Sequence, residues 1–395
     1  MNNFDAELQQ RLGAIREQGL LRELRRVDSP QGPRIIIGGR ELINFSSNDY
    51  LGLANHPKVK KAATKAVEKY GAGAGASRLV CGSLAPFHEL EDVIAAFKGT
   101  DAALSFSTGY AAVLGTVTAL LGKDDSIITD KLVHASVVDA AKLSGANRHI
   151  FAHNDLNDLE EILKQAESKS RVTQPASRVL IVTESVFSMD GDHAPLREIV
   201  SLKEKYGAWL MVDEAHATGL YGEKRCGLAE ALGVSDRIEI QMGTLGKAIG
   251  ASGGYICGSR ALIDFLVNRA RSFIFSTAPV PAAAAAATAG IQLVQSVEGK
   301  TRCEQLWQRT SEFCASSITR HASPPSAIIP LIIGDEAAAV AAATQLREQN
   351  IFVPAIRYPT VALGSARLRV TFTAAHNSPD VSALTSALLT LSFRP

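Results

Sequence analysis

WLMVDEAHATG, residues 209–219, puts an Asp-Glu-Ala-His tetrad directly after four apolar residues. A run that is apolar at successive positions reads as a strand buried on both faces, as parallel sheets require. Open sheets of that kind collect their ligands at the carboxyl ends of the strands, which is where Asp213 falls. The same four letters form the second motif of one class of nucleic-acid helicase, whose acids handle magnesium and ATP. The tetrad therefore sets two chemistries against each other.

A helicase needs a phosphate-cradling GxxxxGK[ST] loop upstream of its tetrad. The Gly-Lys candidate, GTLGKAIG at 243–250, has Ala248 after Lys247 and lies downstream of Asp213. Order and spacing both fail. The glycine-rich GAGAGAS at 71–77 follows a helical stretch, whereas a dinucleotide fingerprint follows a strand and opens a helix. Net charge is +1 with the basic residues spread along the chain, so the electrostatic footprint of nucleic-acid binding is missing.

The 395 residues, 46% hydrophobic and 21% charged, describe a soluble globular protein with a sizeable core. The five cysteines (81, 226, 257, 303 and 314) are far apart and form no CxxC pair or zinc spacing, which fits a reducing, cytoplasmic setting and no metal. Residues 1–27 carry charges throughout and read as an amphipathic helix rather than an export signal. The most apolar window, from Ala278, is mostly alanine with two prolines; it suits a closely packed helix start better than a membrane span.

Outward from 209–219 the pattern alternates. Helical stretches near 57–70, 87–98, 109–121, 134–144, 155–168 and 195–206 are separated by the apolar runs DAALSF, DSIIT, RHIFA, RVLIVTE, AWLMVDE, RIEIQMG and GGYICG. Such alternation predicts a mostly parallel sheet covered by helices. Breaks near 271–281 and at the Pro-rich 321–326 precede AIIPLII, IFVPAI, ARLRVTFT and a last helix after Pro379, which predict a smaller C-terminal α/β domain. The expected division is 1–50 for an N-terminal helix and extended segment, 51–285 for a large cofactor-binding domain and 286–395 for the small domain. In ARLRVTFT, Leu368, Val370 and Phe372 take one face; Arg367, Arg369, Thr371 and Thr373 take the other, which is free to meet an anion.

A strand-end aspartate and a lysine thirty-four residues further on, bracketed by Gly246 and Gly250, belong together in one chemistry. Pyridoxal phosphate is held by a lysine amine, while a carboxylate beside its pyridine nitrogen keeps that nitrogen protonated and the ring electron-poor. The two glycines would let the backbone approach the cofactor. Singly, the lysine reads as a solvated charge and the tetrad as coincidence; their joint order and spacing argue for the cofactor.

SSNDYLGL (46–53), GASRLVCG (75–82), FSTGYAA (106–112), KLVHASVVDAA (131–141), FAHND (151–155), TESVFSMDGD (183–192), VDEAHATG (212–219), GTLGKAIGASGG (243–254) and AIRYPTV with ARLRVT (355–371) together resemble the α-oxoamine synthase family. The resemblance runs from about Arg22 to about His376. It implies an α/β pyridoxal-phosphate-dependent transferase of fold type I, aspartate-aminotransferase-like, working as a homodimer with shared active sites. GASRLV, FAHND, AIRYPTV and TAAH look most like the branch that joins L-alanine to a pimeloyl thioester, carried on CoA or acyl carrier protein. RLVCG at 78–82 is also similar to the sister enzymes that use glycine, so an acetyl-CoA ligase and a 5-aminolevulinate synthase stay open.

Carried over residue by residue, the resemblance implies Lys247 as the cofactor's covalent partner and Asp213 as partner of its ring nitrogen. His216 would meet its phenolic oxygen. His134 would stack on the ring and act as an acid toward the substrate carbonyl. Gly109 and Tyr110, where a strand turns into a helix, would hold the phosphate through backbone N–H groups. Ser188 and Thr244 would add hydroxyl donors, with Glu184 nearby; Ser276 and Thr277 would reach the phosphate of the neighbouring subunit. For substrate the resemblance implies Arg369, as a two-pronged partner of the amino acid carboxylate, together with Arg22, Asn48, Arg357 and Thr360. On its own Arg22, in LRELRR, reads as an exposed helical charge.

Overall fold

The computed structural model describes residues 3–173, 177–316 and 326–391. The strands are β1 (Arg34–Ile37), β2 (Arg40–Asn44), β3 (Ala102–Phe106), β4 (Ser126–Asp130), β5 (Asn147–Phe151), β6 (Val179–Glu184) and β7 (Trp209–Asp213). They continue as β8 (Ile240–Thr244), β9 (Gly254–Gly258), β10 (Ile328–Gly334), β11 (Ile351–Phe352), β12 (Ala355–Ile356) and β13 (Ala366–Thr371). The chain divides into two compact units, one of residues 51–188 and 192–303 and the other of residues 1–50, 189–191 and 304–395.

The larger unit is built on a seven-stranded sheet in the order β3-β9-β8-β7-β6-β4-β5. β9 runs antiparallel to both β3 and β8, and the remaining pairings are parallel. Successive side chains alternate between its faces. Leu180, Val182 and Met211 join one buried cluster with Val113, Val117 and Val137, while Ile181, Leu210 and Val212 join another with Leu159, Ile199 and Val200. Two such cores explain why the strands read as unbroken apolar runs.

The alanine-rich window becomes the helix Pro281–Gln295, which packs on the helices Pro57–Tyr70 and Ala85–Lys98. Small side chains allow that approach: a Cβ on Gly290 would stand 2.2 Å from the Ile249 carbonyl oxygen. Residues 286–303, expected in the small domain, group with the larger unit for this packing reason.

In the smaller unit, β1, β2 and β11 form one sheet; β10, β13 and β12 form another that is antiparallel throughout. The expected strand IFVPAI splits in two. β11 pairs with β2 and β12 with β13, because Pro354 between them has no N–H to continue a ladder. Phe45 stacks on the buried His376 at 4.3 Å between ring centroids, and Phe372 packs edge-on to both rings. Burial lowers the His376 pKa to about 4, so the ring is neutral: Nδ1 accepts from Thr373 N–H (3.1 Å) and Nε2 donates to the Asn44 carbonyl (3.1 Å).

Two expectations are corrected here. The first helix ends at Glu17 instead of running to residue 27, and none of its residues is buried. Both faces of β13 are buried, so the polar face is covered by protein rather than open to solvent. Arg367 pairs with Asp190 and donates to the Met189 carbonyl at 3.3 Å. The Pro-rich 321–326 segment lies, but for Ser326, outside the described residues.

Candidate active site

The parallel strands β4, β6, β7 and β8 end at Asp130, Glu184, Asp213 and Thr244. Register places Glu184 beside Asp213. One carboxyl edge of the sheet thus carries three carboxylates and a hydroxyl.

Asp213, 6% exposed, accepts a hydrogen bond from Ala215 N–H at 2.8 Å. Burial raises its pKa; the charge of Lys247 and the Ala215 bond oppose the rise. Glu214, the next residue, leaves the site altogether. It is fully buried against Lys98, the last residue of the helix Ala85–Lys98, and also accepts from Ala229 N–H at 2.9 Å. Burial alone would lower the Lys98 pKa, but Glu214, Tyr255 and Cys257 carry it well above the ordinary range. Removing one partner of such a buried pair costs about 3–5 kcal/mol. The tetrad therefore divides: Glu214 is tied to Lys98 and Ala229, while Asp213 meets Ala215 N–H and His216 meets Lys247.

His216 Nε2 lies 3.0 Å from Lys247 Nζ. Lys247 is half-buried in the loop after β8. Of its two flanking glycines, Gly250 has a different use from the one expected. Its φ is +72°, and a Cβ there would stand 2.5 Å from the Leu53 carbonyl carbon, so chain packing rather than a ligand demands glycine. At Gly246 the nearest atom to such a Cβ is 3.7 Å away, which leaves that side open.

Glu184 accepts from Ser188 N–H at 3.2 Å. Burial, with the charge of Asp213 adding to it, pushes its pKa up to about 8. His134 caps the helix Ala135–Ser144, its Nδ1 accepting from Ser136 N–H at 3.2 Å. The protein packed around its ring lowers the imidazole pKa, opposed by Asp213 and reinforced by Lys247.

The helix Gly109–Leu120 begins against the ends of β8 and β9: a Cβ on Gly109 would stand 2.6 Å from Thr244 Cγ2, and one on Gly254 would stand 2.5 Å from Gly109 Cα. Thr108 caps this helix through Ala111 N–H at 3.0 Å, and the first two N–H groups, of Gly109 and Tyr110, have no partner inside the helix. The Tyr110 hydroxyl donates to Asp139. Thr277, next to Ser276, forms an isolated antiparallel bridge with Ser77.

The expected substrate residues lie in the other unit, in two groups. Asn48 Oδ1 accepts from Arg369 at 3.1 Å and from the Tyr50 hydroxyl at 3.2 Å. Arg22 donates to Thr360 at 3.4 Å, and Arg357 donates to the Leu21 carbonyl at 2.7 Å. Arg22, Arg357 and Thr360, with Arg25 and Arg347, line a cavity of about 390 Å³.

Pyridoxal phosphate requires an amine for its aldehyde, a carboxylate for its ring nitrogen and donors for its phosphate. Lys247, Asp213 and the helix start at Gly109 supply these in order. Thr244 Oγ1 and Glu184 Oε1 are buried without a hydrogen-bond partner, as polar atoms that face a ligand are. The residues fit the group. Among the described residues no cluster of His, Cys, Asp and Glu is arranged to hold a metal, and no helix is long and apolar enough to cross a membrane.

The model of the family "Aminotransferase class I and II" matches residues 40–388. The chain is 46% identical to 8-amino-7-oxononanoate synthase of Geotalea daltonii over 98% of its own length and 97% of the relative's. Among solved structures it is similar to serine palmitoyltransferase from S. paucimobilis with a bound PLP–myriocin aldimine (28% identity, TM-score 0.88, covering 96% of this chain and 95% of that one). It is also similar to 8-amino-7-oxononanoate synthase from Francisella tularensis (28% identity, TM-score 0.72, covering 88% of this chain and 96% of that one).

Proposed function

The chain belongs to the class I and II aminotransferase family, and from that premise we propose that it works as an 8-amino-7-oxononanoate synthase. It joins L-alanine to a pimeloyl thioester with loss of carbon dioxide and the free thiol. The chemistry is carried by one observation, the convergence of Lys247, His216 and the buried Asp213 at the sheet edge. The substrates are supported by the likeness to the Geotalea relative over nearly the whole chain.

Bound there, pyridoxal 5′-phosphate supplies an aldehyde for the amino acid and a ring that withdraws electrons from the bonds next to it. Every other part falls to side chains of this chain. Asp213, buried and costly to ionise alone, finds in a cationic ring nitrogen the charge that offsets its burial. Lys247 Nζ removes the α-proton of alanine, and His216 Nε2 beside it holds the amine in place. His134, kept largely neutral, covers the ring and steers the acyl carbonyl. The N–H groups at Gly109 and Tyr110 and the hydroxyls of Thr244 and Ser188 take the phosphate.

On this reading Arg369, with Asn48, receives the amino acid carboxylate, and the arginine-lined cavity with Arg22, Arg357 and Thr360 receives the anionic acyl donor. Ser276 and Thr277 serve the phosphate of a second copy, in a homodimer. The protein acts in the cytoplasm, and among the described residues no disulfide joins its cysteines.

Release of CoA measured with alanine or glycine, each beside pimeloyl-CoA or acetyl-CoA, tests the substrate assignment. The alanine–pimeloyl pair should be fastest. Fastest turnover of glycine with acetyl-CoA would move the chain to the glycine-using branch.

A further inference from the structure

FAHND carries a device that the reaction itself does not use. His153 Nδ1 lies 3.0 and 3.2 Å from the two carboxylate oxygens of Asp130, and its Nε2 lies 2.7 Å from Asp192 Oδ2. The ring stands edge-on to Phe187, 4.4 Å between centroids. Asn154, at φ 57°, repeats the pattern: its backbone N–H donates to Asp130 at 2.9 Å and its side-chain amide to Asp192 at 3.0 Å.

Each carboxylate belongs to a loop that carries a cofactor residue. Asp130, fully buried at the end of β4, also accepts from Leu132 N–H at 2.7 Å and so fixes the turn leading to His134. Asp192 lies on the return arm of the segment that leaves β6. There Phe187 N–H bonds the Asp192 carbonyl at 3.0 Å and Ala194 N–H bonds the Ser185 carbonyl at 3.1 Å. The outgoing arm presents Ser188 to Glu184.

We infer that His153 is a positioning residue for the cofactor pocket, a cationic clamp that holds the His134 loop and the Ser188 loop in register by bridging Asp130 and Asp192. The inference rests on the reading of this pocket as the pyridoxal phosphate site. Both ring nitrogens face carboxylate oxygens, so both must donate, and only the imidazolium has two N–H groups. A neutral ring would set a lone pair against one carboxylate. Burial alone would lower the pKa of His153, but the hydrogen bonds and charges of Asp130 and Asp192 raise it to about 10. The clamp thus stays charged through the neutral range.

The test is binding of pyridoxal 5′-phosphate to the apoprotein, followed by absorbance, for the parent, H153Q, D192N and H153Q/D192N, with circular dichroism to establish folding. H153Q should weaken binding by about tenfold, the lower range for losing a supporting partner around a ligand site. Adding D192N removes the stranded charge and should return much of that loss, whereas D192N alone, which leaves Nε2 an amide oxygen to bond, should cost only about threefold. A purely structural role would make the two losses add, which would overturn the inference. H153Q binding like the parent would do the same. Should H153Q fail to fold, D192N decides: a loss of about threefold with unchanged unfolding supports the clamp, and parental affinity refutes it. A parent protein that binds no pyridoxal phosphate would overturn the underlying reading and this inference with it.

Discussion

Replacing Lys247 by alanine should cut turnover by more than about 10⁴-fold while leaving the chain folded and the cofactor bound only exchangeably. A positioned proton-transferring group is worth about 10²–10⁴-fold, and here the same amine also holds the cofactor, so the two losses fall together. No nearby group is placed to take over. His216 contacts the amine but is itself buried, and His134 has its Nδ1 committed to Ser136. Lys247 is half-buried in a loop and contributes no core surface, so its truncation should leave the unfolding midpoint close to that of the parent. The check is a single-turnover assay beside thermal unfolding of the apoprotein. Activity within tenfold of the parent would remove Lys247 from the chemistry.

The second large effect is expected at Asp213. Asparagine keeps the shape and can still accept from Ala215 N–H, so the β7 end should stay in place. What disappears is the charge. A neutral amide cannot hold a neighbouring ring nitrogen protonated, and the loss of one preorganised electrostatic partner costs on the order of 10²–10³-fold in kcat. Cofactor content should fall much less than kcat, because the phosphate and amine contacts lie elsewhere in the pocket. D213E, which restores charge with one methylene too many in a buried space, should recover part of the rate. Equal kcat for D213N and the parent, measured with the cofactor saturating, would show that the carboxylate is a structural group.

How far the sequence reveals this site depends on the range of each interaction. The sheet is legible because Leu180 to Val182 and Leu210 to Val212 are apolar at every position, a pattern that only a sheet covered on both faces produces. Asp213 and Lys247 stand out as candidates because pyridoxal chemistry pairs a carboxylate with an amine. Glu214 is not. It stands inside the same four letters, yet its partner Lys98 is more than a hundred residues away, at a helix end where a lysine normally meets solvent.

Arg367 and Arg369 share a face by alternation, which is visible, but what covers that face is not: Asp190 meets one and Asn48 the other. Gly250 misleads for a related reason. A glycine beside a candidate catalytic lysine suggests room for a ligand, whereas the backbone of Leu53 occupies the space. FAHND is recognisable by resemblance alone. That His153 lies between two carboxylates becomes apparent only when β4, β5 and β6 are side by side.

The claim beneath all of this is that Lys247 and Asp213 act on one pyridoxal ring. Borohydride reduction of the purified, cofactor-loaded protein, followed by peptide mapping by mass spectrometry, addresses it most directly. A single reduced pyridoxyl phosphate group on the peptide that contains Lys247 is the expected result. A label on another lysine, or no label on a protein that turns alanine over, would contradict it.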